Sequence, residues 1–332
     1  MGGGAPDLTK FSIVMPFRDT PRERKFAEKS IPSAIALEPD EFLIGVDEPA
    51  DESFLALISR LCAKQSFTNY RILPVPKSDK WRFQLANIIW HCYQECRNDR
   101  ILAFDVDSIL RPAVLNGLGF VGRDGNAVVS FTKRLLVKSL GDLIRHVFYR
   151  LRVRLHSYVF SGIYWIFRPH YFEDVDLDGM QSIENGIDTY MVKRISEIGR
   201  HKVLMLKEMG VDCMDIQNED YPWRQFQEGI WYYANKDTYM DLRRQRARKN
   251  SRKSIIHRTL YRYLGLVILF RSVVYCRPWF FRGWFWARRN PGHTSIHAAR
   301  DTGLDEWSTM GSKHVRAIRD WRKYGRLGTG FD

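Results

Sequence analysis

Two carboxylates one residue apart, Asp105 and Asp107, directly follow the run Arg100–Phe104. At the end of a buried strand, such a pair can share a hard divalent cation. Mg²⁺ and Mn²⁺ take oxygen ligands and keep positions open for substrate phosphates. A cation held there would offset the charge that builds on a departing diphosphate. A solvated turn is the competing reading, because D-x-D recurs in loops. Other residues could bring chemistry to the same place. Asp188, with Glu184 one helical turn earlier, could accept a proton, or could lie exposed on an amphipathic helix. Arg18 and Lys80 could meet phosphate oxygens or remain solvated. The pair His293 and His297, at i and i+4, could send a metal ligand from the tail, although surface histidines are commoner. Cys92 and Cys96, four apart beside His91, read as helix core rather than zinc ligands, since no second cluster accompanies them.

These residues need a frame, and the chain supplies a regular one. Phe11–Met15 is a short apolar run expected to form a buried strand stopped by Pro16. A helix is expected over 21–36, a strand over Glu41–Val46, and a helix over 51–64 with apolar residues at 54, 55, 58 and 61. A third strand, Tyr70–Val75, precedes a helix over Lys80–Cys96 and a fourth strand, Arg100–Phe104. Strands alternating with helices at this spacing imply an α/β fold with a mostly parallel sheet flanked by helices. Ligands of such sheets bind beyond the carboxyl ends of the strands. The residues after the four strands are Arg18-Asp19, Asp47-Glu48, Lys77-Ser78-Asp79 and Asp105/Asp107, so all four groups are expected to face one crevice. Further on, strands are expected at Ala127–Phe131, Tyr158–Phe167 and Lys202–Leu206, and helices over Glu184–Ile198 and 221–236.

The order of these segments resembles glycosyltransferase family 2, of the GT-A (nucleotide-diphospho-sugar transferase) fold. Ser12–Phe17 resembles that family's opening strand, whose proline lies beside the nucleotide; this puts Pro16, Phe17 and Arg18 at the donor. Phe42–Asp47 resembles the second strand, with Asp47 facing base and ribose. Asp79-Lys80 and Leu85-Ala86-Asn87 resemble the helix start over the donor, which brings in Lys80 and Asn87. Phe104–Asp107 matches the D-x-D element. Phe160-Ser-Gly162 with Phe167-Arg168 resembles the strand lining the acceptor side, and Gly186–Arg194 the segment with the catalytic base. The resemblance covers roughly residues 11–235. Ile187 departs from the usual glutamate, which leaves Asp188 alone or Glu184. The second strand ends in Asp-Glu-Pro rather than Asp-Asp-Gly-Ser.

The resemblance implies an inverting, metal-dependent transfer from a nucleoside-diphosphate sugar, with Mn²⁺ or Mg²⁺ on Asp107 and Asp105 and with Asp188 as base. Gly162, Glu184, Trp223 and Arg224 fall on the acceptor side; Trp223 suits either sugar stacking or core packing. The Q-x-x-R-W signature of processive synthases is replaced by Tyr221-Pro-Trp-Arg-Gln225, which implies one transfer per encounter. A non-catalytic binding protein on the same scaffold is opposed by retention of both aspartates. A nucleotidyltransferase, which would also use paired aspartates and a metal, is disfavoured by the Gly186–Arg194 segment.

Charge separates the chain into parts. Residues 241–332 hold 21 Lys and Arg against 6 Asp and Glu; the preceding 240 hold 31 against 32. A flexible leader (1–10), a catalytic domain (11–240) and a basic, aromatic, helical C-terminal region (241–332) are expected. Eight basic residues crowd 243–258, and Trp279, Phe280, Phe281, Trp284, Phe285 and Trp286 alternate with arginines. Aromatic rings with cations suit a membrane interface through residues 243–289, hence a glycan or lipid-linked acceptor. Nucleic acid, such as a modified DNA base, is the alternative partner; a plain core helix over 263–275 is a third reading. Five scattered cysteines suit a reduced, cytoplasmic protein, peripheral on the membrane face.

Overall fold

The computed structural model describes residues 10–81, 83–135, 143, 146–147, 149–150, 163–182, 187–197, 199–213, 229–230, 233 and 278–289. The chain divides into two compact units, Met1–Leu136 with Arg150–Asp215, and Val137–Tyr149 with Ile216–Asp332.

The first unit is built on one eight-stranded sheet among the described residues. Its strands are β1 (Ser12–Phe17), β2 (Glu41–Asp47), β3 (Tyr70–Val75), β4 (Arg100–Phe104), β5 (Ser108–Leu110), β6 (Asn126–Leu135), β7 (Ile163–Phe167) and β8 (Lys202–Cys213). The order is β3-β2-β1-β4-β7-β6-β8-β5. The first four are mutually parallel, β7 is antiparallel to β4 and β6, β8 is parallel to β6, and β5 is antiparallel to β8. Only residues 105–107 join β4 to β5, a span of about 14 Å at most, yet β5 ends the order. The sheet therefore curls until its far edge returns to the carboxyl end of β4.

Helices cover both faces, which is why β1, β2 and β4 read as unbroken apolar runs. Phe42, Ile44 and Val46 pack into one cluster with Ala27 and Ile31 of α1 (Pro21–Ile35) and Phe54 and Ile58 of α2 (Glu52–Lys64). Burial of each such side chain contributes about 1.5–3 kcal/mol. On the other face, a Cβ at Gly45 would collide with Ile88 and Cys92 of α3 (Gln84–Glu95), so glycine lets this helix lie directly on β2. Cys92 and Cys96 are buried thiols; burial pushes Cys92 well up and Cys96 up to about 12, which keeps both protonated. Among the described residues, three short helices follow β7 within this unit: α4 (Arg168–Asp174), α5 (Leu177–Ser182) and α6 (Ile187–Glu197).

Several boundaries differ from expectation. Pro16 does not stop β1; it lies within the strand opposite Gly45. Beyond Val14, β1 is no longer paired with β4, and a strand paired on one side tolerates the missing N–H. The third helix starts at Gln84 rather than Lys80, because Ser78–Trp81 close a turn first, with Trp81 N donating to Ser78 O. β8 continues past Leu206 to Cys213 through register shifts near Thr132. Of the expected strand from Tyr158, the part before Ile163 lies outside the described residues, as does most of 221–236.

The second unit contributes α7 (Pro278–Arg289). Trp284 and Ala287 are buried, Trp284 edge-on to Tyr233, and Gly229 lies against the α7 backbone, where a Cβ would strike Phe280 O. Phe285 is exposed, with Arg289 4.4 Å above its ring.

Candidate active site

The carboxyl ends of β1 to β4 lie along one edge of the sheet. β2 and β4 flank β1 on opposite sides, so the strand order reverses between β1 and β4, where open α/β sheets bind ligands. Val14 is opposite Ala103; two residues on, Pro16 and Asp105 reach the edge together. On the other side Val46 is opposite Phe17, and Asp47 follows. Asp47 and the Asp105–Asp107 turn thus flank the end of β1.

Each group is held by its neighbours. Thr20 caps α1, its Oγ1 accepting from Glu23 N at 3.1 Å, and Pro21 opens the helix. Glu23 in turn accepts from Arg18 N (2.7 Å) and Arg18 Nε (3.1 Å), so α1 fixes the Arg18 guanidinium just beyond β1. About half of that side chain stays exposed. Phe17 is fully buried, edge-on to Phe54 at 4.5 Å, so at this position only backbone can meet a ligand.

Asp47 ends β2, and its Oδ1 is buried with no hydrogen-bond partner among the described residues. A buried acceptor without a donor costs about 1–3 kcal/mol, and more when charged. The adjacent loop after β3 is pinned from α3. Asn87 Nδ2 donates to Pro76 O (3.0 Å) and Gln84 Nε2 to Val75 O (3.1 Å). Asn87 is 1% exposed, so its amide positions the loop from inside; its own Oδ1 is buried without a partner among the described residues. Lys80 stands exposed in that loop.

Asp105 and Asp107 occupy the turn between β4 and β5, both half-buried. Asp105 O accepts from Ser108 N at 3.1 Å, which closes the turn, and Ser108 Oγ donates to Asp107 Oδ1 at 3.2 Å. Leu110 N donates to Ser33 Oγ, which ties β5 to α1. The donor set is all carboxylate oxygen, which fits Mg²⁺ or Mn²⁺ rather than a thiol- or imidazole-seeking metal. Among the described residues no group of three or more His, Cys, Asp or Glu gathers for a metal. The two carboxylates alone would leave most coordination positions to water and phosphate oxygens, as Mg²⁺ prefers.

Asp188 lies in the first turn of α6; its side chain is outside the described residues. Gly162, Glu184, Trp223, Arg224, His293, His297 and residues 243–277 are outside them as well. The structure therefore brings together Pro16, Phe17, Arg18, Asp47, Lys80, Asn87, Asp105 and Asp107 along one edge. Sequence reasoning missed Glu23, which aims Arg18, and Ser108, which closes the carboxylate turn. The T-x-x-E capping pattern at Thr20–Glu23 was the available signal for the first.

No family model matches this sequence, and no curated protein matches it. Solved structures do. A mannosyltransferase from Pyrobaculum calidifontis, in complex with GDP-Man and Mn²⁺, aligns over 97% of this chain and 90% of its own, at 14% identity and TM-score 0.52. S. aureus TarS with UDP aligns over 67% and 65% at 11% identity and TM-score 0.44. Glucosyl-3-phosphoglycerate synthase from Mycobacterium tuberculosis, with Mn²⁺, UDP and phosphoglyceric acid, aligns over 63% and 72% at 13% identity and TM-score 0.40. The likeness to the mannosyltransferase is one of fold: this chain has the GT-A fold that its sequence resembles.

Proposed function

We propose that the chain is a glycosyltransferase that moves a sugar from a nucleoside-diphosphate sugar to a hydroxyl acceptor. The observation that carries this is the buried, donorless Oδ1 of Asp47 at the strand-end edge, across β1 from the Asp105–Asp107 turn. A ribose hydroxyl or base N–H would supply the missing donor. Asp105 and Asp107 would hold Mn²⁺ or Mg²⁺, which when bound neutralises charge on the leaving diphosphate. Arg18, aimed by Glu23, and Lys80 would contact phosphate oxygens. Asp188 would take the acceptor proton as the acceptor oxygen bonds to the anomeric carbon. The bond from that carbon to the diphosphate breaks in the same displacement, and the diphosphate leaves with the electron pair. Inversion follows from a single displacement.

The expected test result is a thermal shift with one of UDP, GDP, CMP or dTDP that requires Mn²⁺ and is lost in Asp107→Ala. At a hundredfold excess over Kd, such binding adds about 2.7 kcal/mol. No shift with any of the four would sink the reading.

The acceptor is a glycan or lipid-linked hydroxyl compound at a membrane, and the enzyme works from the cytoplasmic side through residues 243–289. Support comes from exposed Phe285 on α7 beside exposed Arg282, Arg288 and Arg289. Among the described residues no helix is long and apolar enough to cross a membrane. The protein should sediment with anionic vesicles and stay in solution with neutral ones. Binding to DNA without vesicle binding would transfer the acceptor to nucleic acid.

A further inference from the structure

We propose that Arg111, Arg134 and Asp212 form an anion subsite that receives a phosphate or carboxylate group of the acceptor. The inference deepens the sugar-transfer reading and rests on it for the word acceptor; the anion site itself rests on geometry. Asp212 on β8 is opposite Ile109 of β5 and opposite Arg134 of β6. Residues opposite one another across a ladder share a face, so Arg134 and Asp212 project together.

Arg134 grips Asp212 through both Nε and a terminal nitrogen, each at 2.8 Å. Arg111 follows β5 directly, its backbone N donating to Gly210 O, and its guanidinium comes to 3.6 Å from the same carboxylate. Two guanidinium groups therefore share one carboxylate, a surplus of one positive charge. Asp212 is 17% exposed, whereas Arg134 is 46% and Arg111 39% exposed, so the carboxylate lies beneath and the cations face outward. Asp212 uses one edge of the Arg134 fork. The Arg111 guanidinium makes no hydrogen bond among the described residues. The unspent N–H groups match the oxygens of a phosphate or carboxylate.

Ile109, opposite Asp212, is two residues along from Asp107, and Arg111 is four along, on the strand that leads from that turn. The Asp105–Asp107 turn would already hold the donor diphosphate. A second anion site on the strand that leads from that turn suits the other substrate.

The test uses the full chain with glycerol 3-phosphate as probe and glycerol as its uncharged control, read by ³¹P NMR line broadening and calorimetry. Wild type should bind glycerol 3-phosphate and not glycerol. Arg111→Gln/Arg134→Gln should weaken this about tenfold, the equivalent of one charge-assisted contact, while the Mn²⁺-dependent nucleotide shift persists. That shift also reports that the variant is folded. Arg111→Gln alone, which leaves the Arg134–Asp212 fork in place, should weaken binding less and guards against failure of the double variant to fold. Absence of probe binding to wild type, or equal affinity in the variants, overturns the subsite. Loss of the nucleotide shift in a folded variant overturns it too, because the arginines would then serve the donor diphosphate. A wild type that binds the probe but no nucleotide keeps the anion site and defeats the sugar-transfer reading instead.

Discussion

Strand β2 carries a carboxylate at each end, and the fold treats them oppositely. Glu41, at the start, is 1% exposed and fully served. Ser12 Oγ donates to it at 2.8 Å, Arg71 through two nitrogens at 3.0 and 2.7 Å, and Arg97 N at 2.9 Å. Asp47, six residues on, has a buried oxygen that nothing among the described residues serves. A buried charge with its donors supplied holds structure together; one left without a donor is a cost carried for something else. The amino-terminal edge of the parallel sheet thus has its buried carboxylate satisfied, and the carboxyl-terminal edge, which the proposed function gives to the nucleotide, does not.

The sharpest way to break this contrast is Glu41→Ala. It leaves the Ser12 hydroxyl and Arg97 N without their acceptor and takes from Arg71 its buried partner, leaving only Glu95 among the described residues, at a cost of about 3 kcal/mol, read as a lower denaturant midpoint. Nucleotide binding per folded molecule should be unchanged. Loss of the nucleotide shift in folded Glu41→Ala would contradict the division. The same group gives a pH signature. Burial alone would raise its pKa, but the hydrogen bonds from Arg97, Ser12 and Arg71 outweigh that and hold it below the ordinary glutamate value. A carboxyl depressed in the folded state adds stability that is complete above its unfolded pKa. That stability is lost as pH falls through the folded value. The acid limb of a stability profile should therefore flatten in Glu41→Ala relative to wild type.

The two ends were not equally legible. Asp47, Asp105 and Asp107 could be read because each follows an unbroken apolar run, and such runs mark strands covered on both faces. The contrast with Glu41 could not. Its donors come from 29, 30 and 56 residues away, so only the folded register assembles them. The curled half of the sheet was obscured for related reasons. β5 has three residues, too few for any period, and Lys207 and Glu208 interrupt β8 where its register shifts against β6. The group of Arg111, Asp212 and Arg134 depends on both strands and stayed hidden with them. Asn87 shows the converse: the residue was singled out at the donor, and its amide turns inward to the loop that carries Lys80.

Asp47→Asn should have the smallest effect and separates the two edges most finely. An amide of the same size keeps the strand pairing with Val75 and takes the charge from an oxygen that has no donor among the described residues. Stability should hold or rise by up to about 1 kcal/mol, opposite in sign to Glu41→Ala. Nucleotide affinity should fall about tenfold, near 1.4 kcal/mol, because the neutral oxygen is the weaker acceptor for a ribose hydroxyl or base N–H. Paired measurements of midpoint and nucleotide affinity therefore place each variant in its own quadrant: Glu41→Ala loses stability and keeps ligand, Asp47→Asn keeps stability and loses ligand. If Asp47→Asn were destabilised with nucleotide affinity intact, its carboxylate would be a structural group like Glu41. The assignment of the carboxyl-terminal edge to the nucleotide would then have to rest on Asp105 and Asp107 alone.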